Sequence, residues 1–389
     1  MAAPQGKVTV LDPYGFVDGC QRWFQLQEDT TLIALRLDMA LRSLDTSLLP
    51  SAYFRAYLLC DRQPPSDGNG SYEHMSILRN ALLWGSQNKW LERQFRQRRF
   101  AKRAISRFMP GEDVTSALDA AENLGESNIA SILTRLGENV NSMAEVGEVV
   151  AHYMRVLDKV RERQIDTHIS VKLTQLGLDI DKRASFVNLE RLIERAGELD
   201  TFFWIDMEAS EYVDITLEQY HEARQRFPNV GVCVQAYLYR TKDDLTKLLD
   251  AGSCIRLVKG AYNEPPSLAF PRKQDVDENY FALARQVLEH TVSANGHSGA
   301  GGPHAMATHD LRLIDRIRGA ATQLNAQRTA FEVSMLYGIR AQEQQSLAAA
   351  AVPTRVLISY GESWFPWYMR RLAERPANVG FVIRSMMWR

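Results

Sequence analysis

Four short apolar runs end in side chains suited to chemistry: His168 to Lys172, Phe203 to Glu208, Val232 to Tyr237, and Ile255 to Tyr262. Lysine is rarely buried without a partner. Lys172 therefore admits two readings, a salt bridge to Asp206 or Glu208, or the binding of a substrate anion. Asp206 and Glu208 lie two apart and point the same way if both are in a strand, so one can pair while the other faces a ligand. Arg256 and Val258 share a strand face. Lys259 is followed by Gly260 and Ala261, small residues that let a flat ring or a phosphate chain approach the backbone. A tight turn explains the glycine alone equally well.

Thr308 and His309 close a later strand, where the histidine is either structural or a ligand contact. Arg370 and Arg371 sit in a terminal helix, and adjacent helical residues point about 100° apart. Both reach one small ligand only if that helix lies across the site. Their donor forks would then match a carboxylate. A surface pair between Arg370 and Glu374, one helical turn on, is the plain alternative. The cysteines and histidines form no metal-ligand set. Neither Ser-x-x-Lys nor Gly-x-Ser-x-Gly is found.

What must position these residues is a repeat. The four runs recur roughly every 30 residues, the spacing of successive β-α units. Strands are expected at 129–133, 167–173, 201–207, 230–237, 254–259, up to Thr308 and His309, 329–333 and 354–359. Helices are expected at 114–124, 141–163, 184–198, 216–227, 241–250, 275–291, 310–323, 338–350 and from about Pro366. Eight strands, each followed by a helix, favour closure into a (β/α)8 TIM-type barrel over an open sheet. An open doubly wound sheet would carry Gly-x-Gly-x-x-Gly after its first strand, and none stands there. In a barrel, Lys172, Asp206, Gln235 and Lys259 meet at one mouth. Residues 1–108 read as an arginine-rich helical arm or cap, and 109–389 as the catalytic barrel.

The charge balance, 47 acidic against 46 basic residues for a formal net charge of -1, gives no nucleic-acid reading. The basic stretch from Arg93 to Arg107 alternates with Phe95, Phe100, Ala101 and Ile105, the pattern of a solvated helix face or of a contact patch. Cys20, Cys60, Cys233 and Cys254 lack CxxC spacing, and two of them fall inside expected strands. A reducing cytosolic setting follows better than a disulfide scaffold. The first residues lack a basic and apolar leader, and no segment has the length of a membrane span.

Taken in order, Leu136-Gly137-Glu138, the stretch from Ser170 to Gly177, Asp206 with Glu208, Gln235 with Tyr237, Arg256 to Tyr262, Thr308-His309, Phe331 to Gly338 and Arg370 to Asn378 resemble the proline dehydrogenase family. The resemblance implies non-covalent FAD at the barrel mouth, oxidation of L-proline to 1-pyrroline-5-carboxylate, and delivery of electrons to a quinone. It implies that Arg256 lies near the flavin N5 and that Gln235, Val258, Lys259, Gly260 and Ala261 contact the flavin or its phosphates. Thr308 and His309 would also serve the FAD. Asp206 would organise the site. Lys172, Arg370 and Arg371 would bind the substrate carboxylate, Tyr262 would pack near the ring, and Glu138 would pair with an arginine as a gate.

Two positions depart from the family pattern, because Leu357 and Trp367 stand where tyrosines usually wall the substrate ring. Leu357 donates no hydrogen bond, so trans-4-hydroxy-L-proline is expected to be a poorer substrate than L-proline, with apolar ring analogues tolerated. Peripheral contact with the inner face of a membrane accords with the quinone. The rival reading is a barrel lyase, isomerase or Schiff-base aldolase using Lys172 or Lys259 on a phosphorylated or carboxylated substrate. It sits poorly with the ends of strands seven and eight, Ser334 and Ser359 to Gly361, which lack a glycine-rich phosphate loop. A non-enzymatic binding module leaves the charged strand ends unexplained.

Overall fold

A computed structural model describes residues 105–137, 140–294 and 302–374, the side chains of 370–374 excepted. The expected arm, most of the basic stretch, Glu138 and residues 295–301 lie outside the described residues.

Eight strands close into one barrel in chain order. They are β1 (Ala130–Arg135), β2 (Thr167–Val171), β3 (Phe203–Ile205), β4 (Val230–Gln235), β5 (Cys254–Val258), β6 (His304–Ala307), β7 (Phe331–Leu336) and β8 (Thr354–Tyr360). All neighbours pair in parallel, and the β1–β8 pair, from Ala130 with Arg355 to Arg135 with Tyr360, seals the cylinder. Every residue of β2, β3 and β4 is buried, as befits strands covered on both faces.

The helices are α1 (Val114–Gly125), α2 (Met143–Arg163), α3 (Lys182–Glu198), α4 (Val213–Arg224), α5 (Thr241–Asp250), α6 (Lys273–Ser293), α7 (Leu311–Gln323), α8 (Ala341–Ala349) and α9 (Trp364–Glu374). In α2, Val146, Val150, Tyr153, Leu157 and Val160 repeat at helical spacing and are buried. Side-chain oxygens end several loops cleanly: Ser142 caps α2, Asp181 caps α3 and Asp310 caps α7.

Tilted barrel strands are staggered by about one residue per step. With that stagger the pairings put Ile132, Trp204, Arg256 and Ser334 at one height inside the barrel. Ser170, Cys233 and Leu357 come next, then Asp206 and Val258, then Lys172, Gln235 and Ser359 at the mouth. At and below the first of these levels the interior is filled by Ile132, Phe202, Trp204, Cys254 and Ala305. It is a packed core with chemistry confined to its upper end.

Candidate active site

Arg256 rises from mid-barrel to the level above it. Its Nη2 donates to Ser170 Oγ at 2.9 Å and to Asp206 Oδ1, and Ser170 Oγ donates in turn to Asp206 Oδ1 at 2.9 Å. The guanidinium carbon lies 5.1 Å from the centre of the Trp204 ring, so an aromatic face supports the charge from below. Burial works against this cation, but Asp206 and Cys233 beside it more than offset that, and its pKa is raised. Arg256 stays charged and immobile.

The carboxylates of the third unit divide their work. β3 ends at Ile205, and Asp206 carries the pairing one step further by donating its N–H to Val171 O. Glu208 lies beyond the ladder, which corrects the expectation that both share a strand face. It accepts from Thr174 N at 3.2 Å and Thr174 Oγ1 at 2.8 Å, fixing the turn after β2 that carries Lys172.

Gln235, at the end of β4, donates through Nε2 to the carbonyls of Glu208 at 3.1 Å and Met207 at 3.5 Å. Its Oε1 is buried and without a partner, as is Arg256 Nη1. Both face the interior. Lys259 lies just beyond β5, between Asp277 of α6 at 2.5 Å and Asp310 at 3.4 Å. The next residue, Gly260, adopts φ +113°, and a Cβ there would stand 2.1 Å from the Tyr237 ring. Only glycine permits that approach. Tyr237 is held protonated, its pKa raised by burial and by Glu264.

Thr308 and His309 follow β6 directly, as a loop rather than as the last residues of the strand. Thr308 Oγ1 accepts from Asp310 N at 3.2 Å, and His309 Nε2 accepts from Leu336 N at 2.9 Å. That acceptor role fixes the imidazole in one orientation above β7. Val258 ends β5 facing the interior; Ala261 and Tyr262 follow Gly260, all three half-buried.

Leu357 faces inward from β8 and packs against the Trp204 cluster. Trp367 belongs to another set. It is buried on α9 with Ile105, Phe108, Met109, Leu136, Trp364 and Phe365. Trp364 Nε1 also donates to Glu112 Oε1 at 2.8 Å, so α9 is pinned to the segment that precedes α1. Arg370 and Arg371 lie within α9, their side chains outside the described residues.

Sequence reasoning left out Ser170, Trp204, Asp277 and Asp310. Ser170 stands two residues before Lys172 on the same strand face, a spacing that could have suggested it. Nothing local points to Asp277 or Asp310, whose role comes from two helix starts converging on Lys259.

The family model for proline dehydrogenase matches residues 117–384. The chain is 33% identical over 311 residues to Proline dehydrogenase 1 of Bacillus subtilis subsp. natto, covering 80% of this chain and 99% of that one. It is 35% identical over 316 residues to Proline dehydrogenase of Deinococcus radiodurans, covering 80% and 98%. Among solved structures it is similar to proline utilization A from Bdellovibrio bacteriovorus, with TM-score 0.66 and 21% identity over 79% of this chain. The chain spans 37% of the length of that protein, and the likeness there is one of fold. The family model over residues 117–384 and these relatives, matched along a barrel with Arg256 buried and clamped beneath its mouth, place the chain in the proline dehydrogenase family.

Proposed function

We propose that the protein is an FAD-dependent proline dehydrogenase that oxidises L-proline, or a close cyclic amino acid, to 1-pyrroline-5-carboxylate and passes the electrons to a quinone. The supporting observation is the pair of orphaned buried atoms, Arg256 Nη1 and Gln235 Oε1, a donor and an acceptor on the inward faces of β5 and β4. Buried polar groups without partners are uncommon. The edge of a flavin, with its alternating nitrogens and carbonyls, would satisfy both, while the close approach that Gly260 permits is taken by the Tyr237 ring. The residues present fit the cofactor.

When bound, FAD would supply the two-electron oxidant for the loss of hydride from carbon 5 of the ring. The chain contributes placement. Ser170 and Asp206 hold Arg256 toward the cofactor, while Thr308, His309 and the ion-paired Lys259 bound the side near α6 and α7. Lys172, Arg370 and Arg371 hold the substrate carboxylate, a role whose value is mainly orientation. By the family resemblance Glu138 would pair with one of these arginines. Tyr262 and Leu357 wall the ring, while Trp367 packs with Ile105, Phe108 and Met109. The amine must be neutral for hydride to leave.

Lys259 argues against the Schiff-base alternative, since its ammonium is committed to two aspartates. Among the described residues no helix is long and apolar enough to cross a membrane, so access to a membrane quinone would be peripheral.

Anaerobic mixing of the FAD-loaded protein with L-proline tests the reading. Bleaching of the visible flavin band, followed by recolouring with a soluble quinone, is the expected result. A flavin left oxidised by every cyclic amino acid tried would refute it. Borohydride inactivation through a protein lysine would favour the aldolase instead.

A further inference from the structure

Gln175 is 1% exposed and directs every polar atom of its amide to backbone. It belongs to the single 3-10 turn, Leu173–Leu176, that follows Lys172. Its Oε1 accepts from Lys172 N at 3.2 Å, and its own N–H donates to Lys172 O at 3.1 Å. One residue therefore holds the peptide groups on both sides of the Lys172 Cα.

The far end of the amide reaches the neighbouring strand. Its Nε2 donates to Arg135 O at 2.8 Å and to Gly137 O at 2.7 Å, the carbonyls on either side of Leu136 at the exit from β1. The register between β1 and β2 runs only from Ser131 with Thr167 to Leu133 with Ile169, so the amide takes over where the ladder stops. Leu136 is held from the other side as well. Its N–H donates to Tyr360 O of β8 at 2.7 Å, and its side chain is buried with Trp364 and Phe365 of α9.

These contacts form a path between cations that come from separate elements. Lys172 follows β2, whereas Arg370 and Arg371 belong to α9, which rests on Leu136. A carboxylate gripped from two elements is placed only as well as those elements are placed against each other. With one acceptor and two donors all engaged, the amide has a single orientation, since a flip would set its NH2 against the Lys172 N–H and its oxygen against two carbonyls.

We propose that Gln175 is a positioning residue, which fixes Lys172 relative to the Leu136 bed of α9 and so sets the spacing of the carboxylate-binding cations. The inference rests on the proline dehydrogenase reading for what those cations hold. Gln175 acts through Lys172 and touches no ligand. A neutral amide suits the task, because it serves two carbonyls from one nitrogen and adds no charge beside the cations. A glutamate of the same length, when ionised, would present an oxygen where two carbonyls need a donor.

The test reads binding without turnover. Tetrahydrofuran-2-carboxylate, which carries the ring and the carboxylate but no amine, is titrated into the FAD-loaded protein while the flavin spectrum is followed. Gln175→Met should raise its Kd roughly tenfold, the scale of a clamp loosened but not removed, with the ratio of flavin to protein unchanged. In a Lys172→Met background the same replacement should change Kd by less than about twofold, because two residues that act as one unit are not additive. Additive effects, or an unchanged Kd in Gln175→Met, would overturn the proposal.

Should Gln175→Met fold poorly, Gln175→Glu takes its place, with pH as the variable. Burial beside two carbonyls raises the pKa of the new carboxyl, and its protonated form regains one donor. The Kd penalty relative to wild type should therefore shrink between about pH 8 and about pH 6, a range in which the analogue, with a carboxyl pKa near about 3.5, stays ionised. An equal penalty at both ends would count against donation to the two carbonyls. If proline bleaches the wild-type flavin and Gln175 shows no coupling to Lys172, the positioning role falls and the family activity stands. If the coupling is found while no cyclic amino acid reduces the flavin, the activity fails and the positioning role survives. An analogue that leaves the wild-type flavin spectrum unmoved would sink both.

Discussion

Arg355 Nε lies 3.0 and 2.9 Å from the two carboxylate oxygens of Glu332, joining β8 to β7 inside the floor of the barrel. Nη1 of the same arginine donates to Ser131 O and to Asp166 Oδ1, both at 3.1 Å, so one guanidinium ties β7, β8, β1 and the entry to β2. Burial raises the Glu332 pKa, with Arg355 opposing. Conserving charge at this depth requires both partners. Replacing Arg355 by Met should destabilise the fold by about 3 to 5 kcal/mol by leaving the carboxylate buried alone. Chemical denaturation checks it. A variant as stable as wild type would show that Glu332 is readily protonated or hydrated.

At the other end of the barrel the same kind of change acts on function. Arg256→Met strips Asp206 of its partner and removes the donor aimed at the cofactor, so FAD should be lost on gel filtration. Ser170→Ala is milder, removing one bridging hydroxyl, and should weaken FAD retention by about 1 kcal/mol. The ratio of bound flavin to protein, read by absorbance, measures both. Full flavin content in Arg256→Met would contradict the site.

Gly260→Ala sets a methyl group against the Tyr237 ring at a backbone angle that L residues rarely adopt. The loop must shift, at a cost of about 2 kcal/mol. The expected outcome is a faster release of FAD with the barrel otherwise intact, seen as an unchanged far-ultraviolet circular dichroism spectrum.

Two buried histidines make stability depend on pH. Burial, with His290 nearby, lowers His304 from 6.5 to about 4. Burial, then Arg355 and Arg256, lowers His168 well below its ordinary value. Each serves as a neutral acceptor, His168 Nδ1 from Trp204 Nε1 at 3.1 Å and His304 Nδ1 from Ile255 N at 3.3 Å. The unfolded chain binds these protons near 6.5 and the folded chain does not. Stability is therefore full above about pH 6.5 and declines as pH falls toward 4, by about 3 kcal/mol for His304 alone. His304→Asn, which keeps an acceptor without the charge, should flatten that slope in a series of melts.

Arg371→Met probes the substrate clamp. Removing one guanidinium from the carboxylate should lower kcat/KM for L-proline by an amount worth about 2 to 4 kcal/mol, with FAD content unchanged. Wild-type kinetics would remove Arg371 from the site.

The barrel was legible because short runs rich in apolar residues recur at the spacing of β-α units, and because Lys172, Asp206, Gln235 and Lys259 stand at or just beyond the ends of four of them. Less legible were the places where tertiary partners decide. β3 is only Phe203–Ile205 because Asp206 turns to Arg256 and Glu208 to Thr174, choices invisible in the local pattern. β7 runs on to Leu336 where apolar content suggested a stop near Val333. Lys259 reads from sequence only as a cation beside a bend, yet two aspartates from distant helix starts claim it.

The packing of α9 against Ile105, Phe108 and Met109 bears on how the protein tolerates trimming. The helix bearing Arg370 and Arg371 leans on residues that come before the first strand, so the two ends of the barrel segment are stitched to each other. A chain shortened to begin at α1 would keep all eight strands and still lose the bedding beneath its arginines. Such a protein would fold as a cylinder and handle its substrate poorly, so a shortened version of the enzyme must keep Ile105, Phe108 and Met109.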